Sequence, residues 1–173
     1  MEDNLDSFLQ HQLEFRIQKA IAEQMDDVIG KIQELSKKFS IGTKDKKSPF
    51  RNVLSVAISS TSSLEEIKVF IRTQIGRSGA SPIWSTKIGN ELFATALVNE
   101  IDSLKADTSN IVRNLRSSIP KNNPLNNYVD NPDNQKELTQ KIHLKLTQLY
   151  LGYLAREHTA LVGEAKFNSN SQN

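Results

Sequence analysis

Apolar residues recur along the first forty positions at spacings of three and four: Leu5, Leu9, Leu13, Ile17, Ile21, Met25, Val28, Ile32, Leu35 and Phe39. That is the helical period, so the stripe predicts one long amphipathic helix of about 35 residues. Gly30 marks where such a helix would bend, since glycine costs a helix interior about 1 kcal/mol relative to alanine. The pattern stops at "SIGTKDKKSP", where Gly42, a lysine cluster and Pro49 predict a solvated basic loop.

Shorter amphipathic segments follow. Ser48-Pro49 reads as an N-cap and first helical residue, opening a helix with Phe50, Val53, Leu54, Ala57 and Ile58 that stops in "SSTSS". Ser62 or Ser63 caps a third helix, and Ser62 with Glu65 fits a capping box. Glu65 and Glu66 lie in its first turn, where the helix dipole favours acids. Leu64, Ile67, Phe70 or Ile71, and Ile75 form its apolar face, and Gly76 or Gly79 ends it.

A fourth helix is expected from Ser81-Pro82, with Trp84, Ile88, Leu92, Ala96 and Ile101 on one face. Leu104, Ile111 or Val112, Leu115 and Ile119 continue it in a second phase, so the polar "KADTSN" predicts either a break at 107–109 or a kink. Pro120, Pro124 and the asparagines of "KNNPLNNYVDNPDNQ" predict an exposed loop over 120–133. A last helix runs from Asp133 to Val162 with Leu138, Ile142, Leu144 or Leu146, Leu149, Tyr153 and Leu154 inside. The expected fold is all-α: a helical bundle of about five helices with a long N-terminal amphipathic helix. It forms a single helical domain over 1–165 with a disordered tail at 166–173.

Composition narrows the chemistry. The 173 residues include no cysteine, which removes disulfides, thiolate metal sites and cysteine nucleophiles. The acidic start "MEDNLDSFLQ" lacks a signal-like apolar run and no window of about 18 residues is uninterruptedly apolar, so a cytoplasmic protein with no membrane partner is expected.

His11, His143 and His158 are far apart, with no second ligand at helical spacing, and no metal site is expected. The pairs Asp26–Asp27 and Glu65–Glu66 are sequence neighbours, which a helix points about 100° apart rather than toward each other. "GRSGAS" lacks the lysine-serine pair of a P-loop, and no serine sits in a nucleophile elbow. No enzyme and no cofactor are expected.

Charge is what stands out. Residues 1–30 hold two Lys/Arg against seven Asp/Glu, whereas residues 31–87 hold eleven against four. The segregation fits a polyanion drawn to the middle third or copies of the chain stacking head to tail. Lys68 and Arg72, four apart, share a helical face, Arg77 follows the glycine, and Arg51 starts the preceding helix. Arg113 and Arg116, three apart, form a second pair. Guanidinium forks suit phosphate contacts, and solvation or salt bridging to neighbouring helices accounts for the same residues equally well.

The stretch "SPFRNVLSVAISSTSSLEEIKVFIRTQIGR" has a short helix with Arg-Asn near its start, a serine-rich break, then a helix ending in aromatic-Ile-Arg and Gly-Arg. In that order it resembles the small all-helical subunits of type III CRISPR effector complexes. The resemblance implies a non-catalytic bundle, several copies of which stack along the belly of a ribonucleoprotein. It implies contacts to the guide–target RNA backbone through a basic face and to other subunits through the remaining faces. Arg51, Arg72 and Arg77 are the RNA-binding positions it carries over, with Lys68, Arg113 and Arg116 as further candidates. A helical adaptor or oligomerisation protein with no nucleic-acid role, binding partners through its first helix, is the alternative.

Overall fold

The computed structural model describes residues 5–59 and 62–172, so the middle of the serine-rich break and the last residue of the expected tail lie outside it. The apolar stripe folds as helix α1, Ser7–Phe39, continuous through Gly30. It is followed by α2 (Ile41–Lys44), α3 (Phe50–Ala57), α4 (Leu64–Thr73), strands β1 (Lys87–Ile88) and β2 (Glu91–Leu92), α5 (Phe93–Ser118), α6 (Leu125–Asp130) and α7 (Pro132–Asn170). The fold is all-α, with seven helices among the described residues where about five were expected.

Several expectations are corrected. The fourth helix does not begin at Pro82: residues 82–85 form a turn, β1 and β2 pair antiparallel, and only then does α5 start. Gly89 has φ 60° while Asn90 does not reach positive φ, the pattern of a two-residue hairpin loop that needs glycine first. Of the two readings of 107–109 the break is excluded, since α5 runs on through the polar stretch. Asp107 and Thr108 are buried, so polar residues occupy core positions and hide the apolar period, while Ser109 Oγ donates back to the Lys105 carbonyl.

The expected loop at 120–133 contains α6, with Leu125 and Val129 buried. Its asparagines act as caps: Asn123 Oδ1 accepts from the Leu125 amide at 2.9 Å, and Asn131 Oδ1 accepts from the Asp133 and Asn134 amides at 3.0 and 3.1 Å, ahead of Pro132 at the first position of α7. Helix α7 then continues through Lys166 to Asn170, where a disordered tail was expected. The capping box of α4 is Ser63 with Glu66 rather than Ser62 with Glu65. Ile75, expected inside, is exposed, and Gln74 is buried instead.

By its contacts the chain falls into two compact units, one of Met1–Asp27 with Leu104–Leu146 and one of Val28–Ser103 with Thr147–Asn173. In the first, Leu13, Ile21, Ile111, Leu115, Leu138 and Ile142 are buried. A buried polar pair crosses this core, Gln24 Nε2 donating to Asp107 Oδ1 at 2.9 Å. On the surface of the same unit Arg16 donates to the Ser118 carbonyl at 2.6 Å, closing the end of α5.

The second unit is built around aromatic rings. Phe50 meets Trp84 edge-on at 5.6 Å and Phe93 at a tilt at 5.8 Å, and Phe39 meets Phe93 edge-on at 5.4 Å. Such pairs add about 0.5–1.5 kcal/mol each beyond their burial. Trp84 thus reaches the core from a turn, and its carbonyl accepts from the Ala94 amide at the start of α5. Helices α3 and α4 pack on each other, Gln148 of α7 donates to the Ala57 carbonyl at 2.9 Å, and Lys38 ties α1 to Glu91 of the hairpin at 2.7 Å. The Tyr150 hydroxyl is buried here with no hydrogen-bond partner among the described residues, and burial first, with the nearby Glu100 charge second, pushes its ionisation far above the ordinary tyrosine value.

Candidate nucleic-acid interface

The six cations singled out from the sequence divide between the units. Arg51, Lys68, Arg72 and Arg77 belong to the second, Arg113 and Arg116 to the first. The second unit also holds the positive surplus, with thirteen Lys/Arg against nine Asp/Glu, whereas the first has nine against eleven. An incoming polyanion is therefore attracted to one unit rather than to the chain as a whole.

Within the second unit the cations are not equivalent. Lys68 lies between Glu65 at 2.6 Å and Asp102 at 2.9 Å. The Glu65 hydrogen bond first, then that of Asp102, raises its pKa above the ordinary lysine value against the opposing effect of burial. Its charge is already compensated, and it serves to fasten α4 to α5. Arg51 in the first turn of α3, Arg72 in the last turn of α4 and Arg77 in the turn beyond are all exposed. No ion pair among the described residues joins any of the three to a carboxylate. Arg72 also complements the carbonyl end of α4, a local reason for a cation there.

The pair in the first unit lines an open cleft of about 650 Å³ with Ser109, Val112, Asn126, Gln135 and Thr139 among its other walls. Arg116 is ion-paired to Asp130 at 2.6 Å, and Arg113 donates to Asn110. Spacing on α5 brings them to one face, and the aspartate supplied by α6 neutralises one of them. That aspartate lies in the stretch expected to be loop.

Among the described residues no three His, Asp or Glu side chains come together as metal ligands would, and no helix is long and apolar enough to cross a membrane. His11 Nδ1 donates to the Ser7 carbonyl at 2.6 Å, and His158 is buried against Phe50. The residues that sequence reasoning passed over are Lys44, Lys46 and Lys47: read as a solvated basic loop, they are indeed exposed, and they also line a cleft with Lys166 of α7. The signal for this was Ile41 in front of the cluster, a fully buried anchor that a free loop does not require.

No family model, curated protein or solved structure matches the chain.

Proposed function

We propose that the chain is a non-catalytic RNA-binding subunit of a multi-protein ribonucleoprotein, of the kind represented by the small subunits of type III CRISPR effectors. It acts in the cytoplasm without a cofactor, contacting the backbone of a guide–target RNA. The observation that carries this reading is the set of exposed arginines without carboxylate partners, Arg51, Arg72 and Arg77, in the unit that holds the chain's positive surplus. Helices α3 and α4 pack together across the short connection 58–63, a length typical of an antiparallel helix pair. Arg51 and Arg72 are carried on these two packed helices. Arginine forks on helix ends grip phosphates bidentately and position a nucleic acid without reading its bases.

The test is RNA binding as a function of salt. Three phosphate contacts to a duplex give a slope of about −2.7 in log K against log salt, or about a 40-fold loss between 50 and 200 mM. A protein that retains no RNA of any sequence at low salt, alone or with its co-purifying partners, refutes the reading.

A second reading, the helical adaptor, is supported by Phe8 and Phe15. They lie one heptad apart on α1 and are 70% and 69% exposed, an apolar pair of the sort a partner helix covers. Binding of a protein partner that survives loss of all RNA affinity would favour it.

A further inference from the structure

Helix α2 and the following loop lie against the C-terminal part of α7, and between them is a cleft of about 650 Å³ within the second unit. Lys44 at the end of α2, Lys46 and Lys47 of the loop and Lys166 of α7 line it, with Asp45 the one acid among the described residues. The cleft is held in shape. A Cβ on Gly42 would lie 2.5 Å from Leu161 Cβ, so the loop backbone rests directly on α7. Ile41 is fully buried beneath it, and His158 Nε2 donates to the Asp45 carbonyl at 2.9 Å.

The groups able to bind a ligand there are few in kind. The Asp45 carboxylate accepts from the Lys47 amide at 3.0 Å and from Ser81, contacts that hold its pKa below the ordinary value, the Lys47 amide first. The Thr43 hydroxyl donates to the Ser40 carbonyl at 2.9 Å and the Ser169 hydroxyl to the Lys166 carbonyl at 2.9 Å. What remains for a ligand is lysine: no ion pair among the described residues joins Lys44, Lys46 or Lys166 to a carboxylate. Ammonium groups gathered in one cleft repel each other, and an anion relieves that repulsion. No aromatic side chain among the described residues lines the walls, so bases have nothing there to stack on, and lysine's compact charge suits phosphate rather than a planar carboxylate.

We infer that this lysine cleft is a second phosphate-binding site, which takes the backbone of an RNA strand by charge alone. The inference rests on the RNA-binding reading and extends it to residues outside the arginine set. Each lysine paired with a phosphate of a single strand contributes about 0.7 to the salt slope. The triple variant Lys44→Gln/Lys46→Gln/Lys166→Gln should therefore bind single-stranded RNA with a slope shallower by about 2 and a lower affinity at low salt.

Two measurements on the full chain test it. Titration with inorganic tripolyphosphate, followed by amide NMR, should shift resonances of 42–47 and 162–169 in the wild type and leave them still in the triple variant. Anisotropy with a labelled single-stranded RNA should show the shallower slope. Tripolyphosphate shifts that are absent, or spread evenly over all surface lysines, overturn the site. An unchanged slope in the triple variant, with wild-type RNA binding intact, overturns it while the arginine-based reading stands. Wild-type protein that binds tripolyphosphate in the cleft but no RNA at low salt overturns both.

Discussion

His158 of α7 donates a hydrogen bond from Nε2 to the main-chain carbonyl of Asp45, 2.9 Å away and 113 residues earlier in the chain. A carbonyl can only accept, so the ring nitrogen facing it carries hydrogen. The same ring meets Phe50 edge-on at 5.7 Å. One buried side chain thus links the lysine loop to the aromatic core. Replacing it with alanine removes both the packing and the tether, and His158→Ala is expected to cost about 2–3 kcal/mol in urea unfolding. The amides of 41–47 should then exchange with solvent markedly faster. A loss under about 0.5 kcal/mol with unchanged exchange would contradict this linkage.

Helix α4 begins with a reciprocal cap. The Ser63 hydroxyl accepts from the Glu66 amide at 3.2 Å and the Glu66 carboxylate accepts from the Ser63 amide at 2.9 Å. Ser63→Ala should cost about 1 kcal/mol by thermal or urea unfolding, whereas Ser63→Asp, which keeps an acceptor, should stay within about 0.5 kcal/mol of wild type. Equal losses in both variants would mean that the cap does not set the stability of this helix.

The lowered pKa of Asp45 has a pH consequence. A carboxyl held below its unfolded value stabilises the fold at pH above the unfolded pKa, and that contribution is lost as pH falls through the folded one. The contribution comes chiefly from the Lys47 amide and the Ser81 hydrogen bond. Asp45→Asn should therefore flatten the stability profile on the acid side, below about pH 5, relative to wild type. Parallel profiles for the two proteins would show that Asp45 gains nothing from its contacts.

How much of this was readable in the chain depends on which residues set the local structure. Helix α1 was legible because its apolar residues keep one period from Leu9 to Phe39, with only Gln24 and Ser36 as polar residues buried on it. The stretch from Trp84 to Ala96 misled for the opposite reason: its apolar residues fall four apart, as in a helix, while Gly89-Asn90 forms a hairpin turn between them. Helix α6 was hidden because asparagine serves equally in loops and in caps, and only the burial of Leu125 and Val129 separates the two. Among the basic residues, spacing along one helix was visible, but the aspartates that neutralise Lys68 and Arg116 come from other elements. No spacing rule brings Asp102 to Lys68 or Asp130 to Arg116. The lysine cleft was concealed in the same way, since Lys166 lies more than a hundred residues from the loop it joins.

The central claim is that exposed, carboxylate-free arginines of the second unit hold RNA, and Arg72→Glu/Arg77→Glu tests it most directly. Both positions are at the surface, so the variant should unfold within about 1 kcal/mol of wild type. RNA binding is measured at several salt concentrations alongside the wild type. The account predicts an affinity at least about tenfold weaker at low salt and, for a duplex, a slope shallower by about 2. A folded variant that binds RNA with unchanged affinity and unchanged slope would contradict it.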